Sequence, residues 1–201
     1  MIQVGTGAGV HHFHIHQDLI CGQSPFFRAA LNGDWKESKE RKVKLPEDDP
    51  DAFHLYSNWL YHNTLISNND SECRFKFDEC RLLGKAYVLG DKLGDFEFME
   101  VVMDGIMDIG RRSPISLTTL ITTAYDHTPV ASPLRCLLID VYRFEGNRIW
   151  LDITERNEDM LWDLAYAFLG QKTRGAPYLT NPCLYHQHEK SGKPCYKTKQ
   201  T

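Results

Sequence analysis

Hydrophobic residues near the start of the chain alternate with polar ones, the two-residue period of a strand with one face toward a core. Ile2 and Val4 alternate, Gly5-Thr6-Gly7-Ala8-Gly9 offers a flexible turn, and Phe13 and Ile15 share a face between Val10 and His16. Two short strands joined as a hairpin are expected. The period then lengthens. A short helix is expected around Asp18–Cys21. Another should follow Ser24-Pro25, because serine caps an exposed helical N–H and proline tolerates the first helical position. That helix directs Phe26, Phe27, Ala30 and Leu31 inward. Lys42-Val43-Lys44-Leu45 alternates again and reads as a third strand. Asp49-Pro50 repeats the helix-start signal, and Phe53, Leu55, Tyr56, Trp59 and Leu60 follow at helical spacing. The polar stretch Asn63–Glu72 reads as a loop. Cys80, Leu83, Ala86, Tyr87 and Gly90 mark the next helical face, and Asp95 caps a helix carrying Phe96, Met99, Val102, Met103 and Ile106.

Beyond residue 110 the pattern is helical throughout. Ser116 opens a segment with Leu117, Leu120, Ile121 and Ala124 on one face. Ser132-Pro133 opens a second with Leu134, Leu137, Leu138 and Val141. Asn157 caps a third whose inward side reads as Leu161, Leu164, Ala165 and Phe168. Helices this short are marginal alone and must bury these stripes against something. After Leu169 the chain becomes polar and rich in glycine and proline. Three units are expected: residues 1–110, an α-rich α/β domain with a small sheet; residues 111–170, a helical extension; and residues 171–201, an irregular tail.

Composition narrows the functional classes. Of 201 residues, 42% are hydrophobic and 25% charged, the balance of a folded globular protein. A net charge of −4 argues against direct binding to a nucleic-acid backbone, which calls for a basic face. No apolar run is long enough to span a bilayer, and the N-terminus does not read as a secretory signal. An intracellular protein, cytoplasmic or nuclear, is therefore expected. Its six cysteines are expected as thiols, with no C-x-x-C pair among them.

Six separated motifs resemble the BTB/POZ family. They are Phe13-His14-Ile15-His16; Leu19 followed by Ser24-Pro25-Phe26-Phe27; Trp35-Lys36-Glu37-Ser38; Leu45-Pro46-Glu47-Asp48-Asp49; Phe53 with Trp59-Leu60-Tyr61; and Leu83-Gly84-Lys85-Ala86-Tyr87-Val88-Leu89-Gly90-Asp91-Lys92-Leu93. The chain looks most like the short fungal type, one BTB domain with a helical C-terminal extension. The resemblance implies a small β-sheet flanked by a cluster of helices, and a protein-interaction module that forms homo- or hetero-oligomers. It implies no catalysis. It also implies self-association involving Phe13 and Leu19, and a role as substrate adaptor for a cullin-based ubiquitin ligase. Phe77-Asp78-Glu79 matches the apolar-x-Glu feature of such adaptors, with Phe77 and Glu79 as contacts. Read physically, Phe26, Phe27, Phe53, Trp59 and Tyr61 are core residues, each worth roughly 1.5–3 kcal/mol on burial.

Four features bear on chemistry. Gly5-x-Gly7-x-Gly9 lacks the helix that a phosphate-binding loop needs directly after it, so it reads as a hairpin turn. Ser24 has no base at a suggestive spacing and reads as a cap. His11, His12, His14 and His16 crowd one strand. Three of them would share a face, either as a transition-metal site or, more plainly, as a polar surface ending in a hydrogen-bonded His16. Cys183-x-x-His186-x-His188, followed by Cys195, offers two thiolates and two imidazoles, the donor set of a tetrahedral zinc site. A tail without the apolar residues for a core of its own could be ordered by such an ion. The competing expectation is a loosely ordered tail. A zinc-stabilised regulator that recognises its partner through this tail is the alternative to the interaction domain.

Overall fold

The hairpin forms as expected: β1 (Ile2–Val4) pairs antiparallel with β2 (His11–Phe13), with Ile2 opposite Phe13 and Val4 opposite His11. The computed structural model describes residues 1–33, 39–65, 74–153, 157–170, 175–192 and 194–196. The turn between the strands depends on glycine. Gly5 has φ +87°, and a Cβ there would lie 2.6 Å from the Gly9 carbonyl oxygen. The third strand, β3 (Val43–Leu45), joins β1 in parallel, giving a sheet of order β2-β1-β3. Ile2, Val4, Val43 and Leu45 are all buried, so the period-2 pattern places one face of the sheet on the core.

Helices carry the rest of the fold, which is α-rich with a small mixed sheet. α1 (Gln17–Gln23) and α2 (Pro25–Asn32) pack together, and Ser24 sits between them. Its hydroxyl accepts the Phe27 amide proton and donates to the Leu93 carbonyl at 2.7 Å, so this buried serine is a cap and a tie. α3 (Pro50–His62) begins at Asp49, whose carboxylate accepts the amides of Asp51 and Ala52. α4 (Arg74–Leu93) and α5 (Phe96–Arg112) fold back on each other across Gly94-Asp95. Gly94 adopts φ +69° and packs against Pro25, where a Cβ would sit 3.3 Å from the proline ring. Asp95 caps α5 through Phe98 and accepts the Tyr56 hydroxyl at 3.2 Å. A chain of edge-on and tilted ring contacts, Phe13 to Phe53 to Tyr56 to Phe98, links the sheet to α5.

The expected helix after Ser116 divides in two: a 3-10 stretch from Pro114 to Leu120, then α6 (Ile121–His127). α7 (Pro133–Glu145) starts at Ser132 as expected. Short α8 (Arg148–Ile153) leads to α9 (Glu158–Leu169), capped by Asn157. Buried apolar side chains from Ile2 to Tyr185 form one continuous cluster, so the helices after residue 110 share a core with the first 110 residues.

Two sequence expectations need correcting. Tyr61 is exposed, not core, and its hydroxyl lies 2.9 Å from His16 Nδ1 at the strand–helix junction. α9 turns Met160, Leu164 and Ala167 inward, so of the expected stripe only Leu164 faces the core. Leu161, Ala165 and Phe168 face out, because Asp163 points inward to accept the Tyr125 hydroxyl at 2.9 Å. The Trp35-Lys36-Glu37-Ser38 motif lies outside the described residues, as does the expected loop from residue 66 onward.

Arg135 has a structural role that the sequence gives no hint of. Buried beside the Tyr125 ring, it donates to the carbonyls of Ala124, Tyr125 and Thr128, and so satisfies the exposed carbonyl end of α6. Arg135→Met keeps the apolar stem but takes the guanidinium from the Tyr125 and Thr128 carbonyls, while Ala124 keeps the Thr128 amide and hydroxyl. It should lower stability by about 2–4 kcal/mol with an unchanged denaturant slope in urea unfolding. Asp49 also pairs with Lys85 at 2.6 Å. Burial pushes its carboxyl pKa up, but the Lys85 ammonium and the two cap amides outweigh that and hold it below the usual range. Asp49→Ala should cost about 1 kcal/mol, and Asp49→Asn, which still caps, distinctly less. Because the folded pKa is depressed, the wild-type advantage over Asp49→Asn is full above about pH 4 and fades as pH falls through the folded value. Thermal melts across acid pH test this.

Candidate metal centre

The tail returns to α5 through a series of short turns. α10 (Pro177–Thr180) and a 3-10 turn, Pro182–Tyr185, bring Tyr178 and Tyr185 into the core. Tyr178 donates to Glu145, and Tyr185 donates to Asp140 at 2.7 Å, both carboxylates lying on α7. Tyr196 donates to Asp104 on α5, and Gln187 donates to the Tyr87 hydroxyl at 3.2 Å. Burial, then the adjoining carboxylate, pushes each of the three tail phenols up, Tyr178 to about 12, so all three remain protonated donors. The described tail is thus packed against α5 and α7. Its tyrosines replace the small core it lacks.

These turns explain how four separated residues meet. In a 3-10 turn the side chains at i and i+3 lie on the same side. That places Cys183 next to His186, whose amide donates to the Cys183 carbonyl. His188 opens α11 (His188–Ser191), and Gly192 ends it at φ +61° with its amide on the His188 carbonyl. That left-handed residue reverses the chain and brings Cys195 back. One ligand atom from each of Cys183, His186, His188 and Cys195 then lies within 4.8 Å of the others. Among the described residues this is the one group of three or more side chains so arranged. His11, His12, His14 and His16 form no such group and are exposed.

The imidazoles are oriented from behind. His188 Nδ1 lies 2.8 Å from Glu100 Oε1, and His186 Nε2 lies 3.4 Å from Asp104 Oδ1. Glu100 and Asp104 are one turn apart on α5, so a single helix face presents both carboxylates. Burial pushes the Glu100 carboxyl up, opposed by His188 and then His186. Each histidine therefore has one nitrogen facing a carboxylate, which leaves the other ring nitrogen as the metal donor. Metal-binding histidines are generally oriented by such carboxylates. His186 Nδ1 is 3.7 Å from Cys195 Sγ. A tetrahedral ion with ordinary Zn–S and Zn–N bonds calls for about 3.6 Å between such ligands. The donors thus fit a small thiophilic cation: two sulfurs, two nitrogens and carboxylates behind the rings. They could hold a metal ion.

Glu100 and Asp104 escaped the sequence reading. Their signal was present, two acids at i, i+4 within the otherwise apolar run Phe98-Met99-Glu100-Val101-Val102-Met103-Asp104. The expected interaction residues lie elsewhere in the fold, on the sheet, α1 and α4. Phe13 and Leu19 are half-buried and packed on the core, Phe13 with its ring 4.7 Å from Phe53. Glu79 is half-buried on α4, and the Phe77 side chain lies outside the described residues. No described helix is long and apolar enough to cross a membrane. No family model, curated protein or solved structure matches the chain.

The carboxylates behind the rings are testable without altering a ligand. Glu100→Gln preserves shape but removes the charge facing His188. Zinc affinity, measured by competition with a chromophoric chelator, should fall by about 10–100-fold. Asp78→Asn, on the exposed part of α4, should leave it unchanged.

Proposed function

We propose that this chain is a non-catalytic protein-interaction module of the BTB/POZ type, whose C-terminal segment is held on the helical core by a structural zinc ion. The observation that carries the metal half is the convergence of Cys183, His186, His188 and Cys195 above Glu100 and Asp104. The thiolate and imidazole donors favour zinc over magnesium or calcium, which take oxygen ligands. Four protein ligands would close the coordination sphere, the arrangement of structural rather than catalytic zinc. The ion would fasten the tail to α5 and offset the negative charge gathered there by two thiolates and two carboxylates.

The order of elements supports the interaction-module half. Among the described residues of the first 112, a strand hairpin, a helix pair, a third strand and three further helices follow one another, a small sheet flanked by helices as the motif resemblance implies. Partner binding would then use surfaces fixed by this frame, with the tail as part of the frame.

Protein purified without a histidine tag should contain about one zinc per chain by elemental analysis. Cobalt replacement should give the intense visible bands of a tetrahedral thiolate site. Chelation should lower the melting temperature, and Cys183→Ser should lose the metal. Less than about half an equivalent of zinc, with no change in melting on chelation, overturns the metal assignment.

A further inference from the structure

We propose that the outer face of α9 is a self-association surface through which two copies of this chain pack helix to helix. This inference is independent of the metal centre. α9 is apolar around most of its circumference, a composition that belongs to buried helices. Its inner side is already used by Met160, Leu164 and Ala167. Its outer side presents Leu161, Trp162, Ala165, Tyr166, Phe168 and Leu169, with Trp162 75% exposed, Tyr166 80% and Leu169 88%. Rotating the helix to hide them would break the Asp163–Tyr125 hydrogen bond and expose Met160.

The size and shape of this face point to a second copy as the occupant. These side chains offer on the order of 600–700 Å2 of accessible surface, close to the ~800 Å2 per partner of a standard stable interface. The only charges of the helix near this face, Glu158 and Asp159, sit at its N-terminal end, so an antiparallel two-fold pair sets them at opposite ends of the contact, and every favourable contact is made twice. Leu161, Ala165 and Leu169 form one i, i+4 ridge, and Trp162 and Tyr166 form the next. Ala165 leaves a notch at the centre where a symmetry-related helix could approach closely, as ridges-into-grooves packing requires. The segments flanking α9, Thr154-Glu155-Arg156 and Gln171-Lys172-Thr173-Arg174, are polar in sequence and offer no apolar side chain to cover it.

The test is the solution mass of the whole chain by light scattering or sedimentation across a concentration series. The reference is Trp162→Glu/Tyr166→Glu, which changes only exposed positions. Expected is a wild-type dimer, and a double variant whose dimer dissociation constant rises by at least about a hundredfold. Its circular dichroism and melting as a monomer should remain native. Tryptophan emission should shift to the red as wild-type protein is diluted through the transition, a shift assigned to Trp162 by its loss in Trp162→Phe. A wild-type chain that stays monomeric at high concentration overturns the proposal. So does a folded double variant that still dimerises, which would move self-association to another surface such as that around Phe13 and Leu19. A monomer whose Trp162 emission shifts only on neutral lipid vesicles also overturns it and makes the face a membrane contact.

Discussion

A carboxylate buried within a helical core is the constraint on which the C-terminal third of this protein depends. Glu100 is 2% exposed, on a helix buried along most of its length. A carboxylate so placed is costly unless a partner meets it. The tail supplies that meeting. His188 and His186 face Glu100 and Asp104, and Tyr196 donates to Asp104 as well. A segment that composition alone describes as polar and irregular is thus held by polar groups on the helix it covers. Three tail phenols bonded to carboxylates on α5 and α7 repeat the device at different points.

The helical and strand frame was legible because local chemistry and global position agree there. Ser24, Asp49, Ser132 and Asn157 each precede an amphipathic run, and each caps the helix it announces. Gly5 and Gly94 stand where positive φ is required. Where a helix lacks a polar side the pattern misleads. In α9 almost every position is apolar, so periodicity could not choose its inner face, and one aspartate bonded to Tyr125 fixed it instead. Tyr61 misled for a related reason, since an aromatic side chain with a polar tip suits a half-wet seam as readily as a core.

The candidate metal centre was legible in part. Its four donors stand close together in sequence, and the 3-10 spacing of Cys183 and His186 follows from elementary geometry. Glu100 and Asp104 lie roughly eighty residues earlier, and nothing local links them to the tail. They could be suspected only as acids out of place in an apolar run, a signal equally compatible with a pair of solvent-facing charges. Long-range polar pairing of this kind is a property of the folded chain. Arg135 was hidden for another reason: its partners are backbone carbonyls at and just beyond the end of α6, which no side-chain pattern announces.

The distance in sequence between Glu100 and His188 has a consequence for the order of folding. Contacts that close long loops form late, because the entropy of closure must be met before they stabilise anything. A ribosome adding about 5–20 residues per second needs on the order of 5–20 s to pass from one residue to the other. During that interval the face of α5 that ends up buried is complete but still open to water, and its two acids remain hydrated. Docking of the tail is therefore a late step of assembly, in which a wet, negatively charged groove becomes part of the interior.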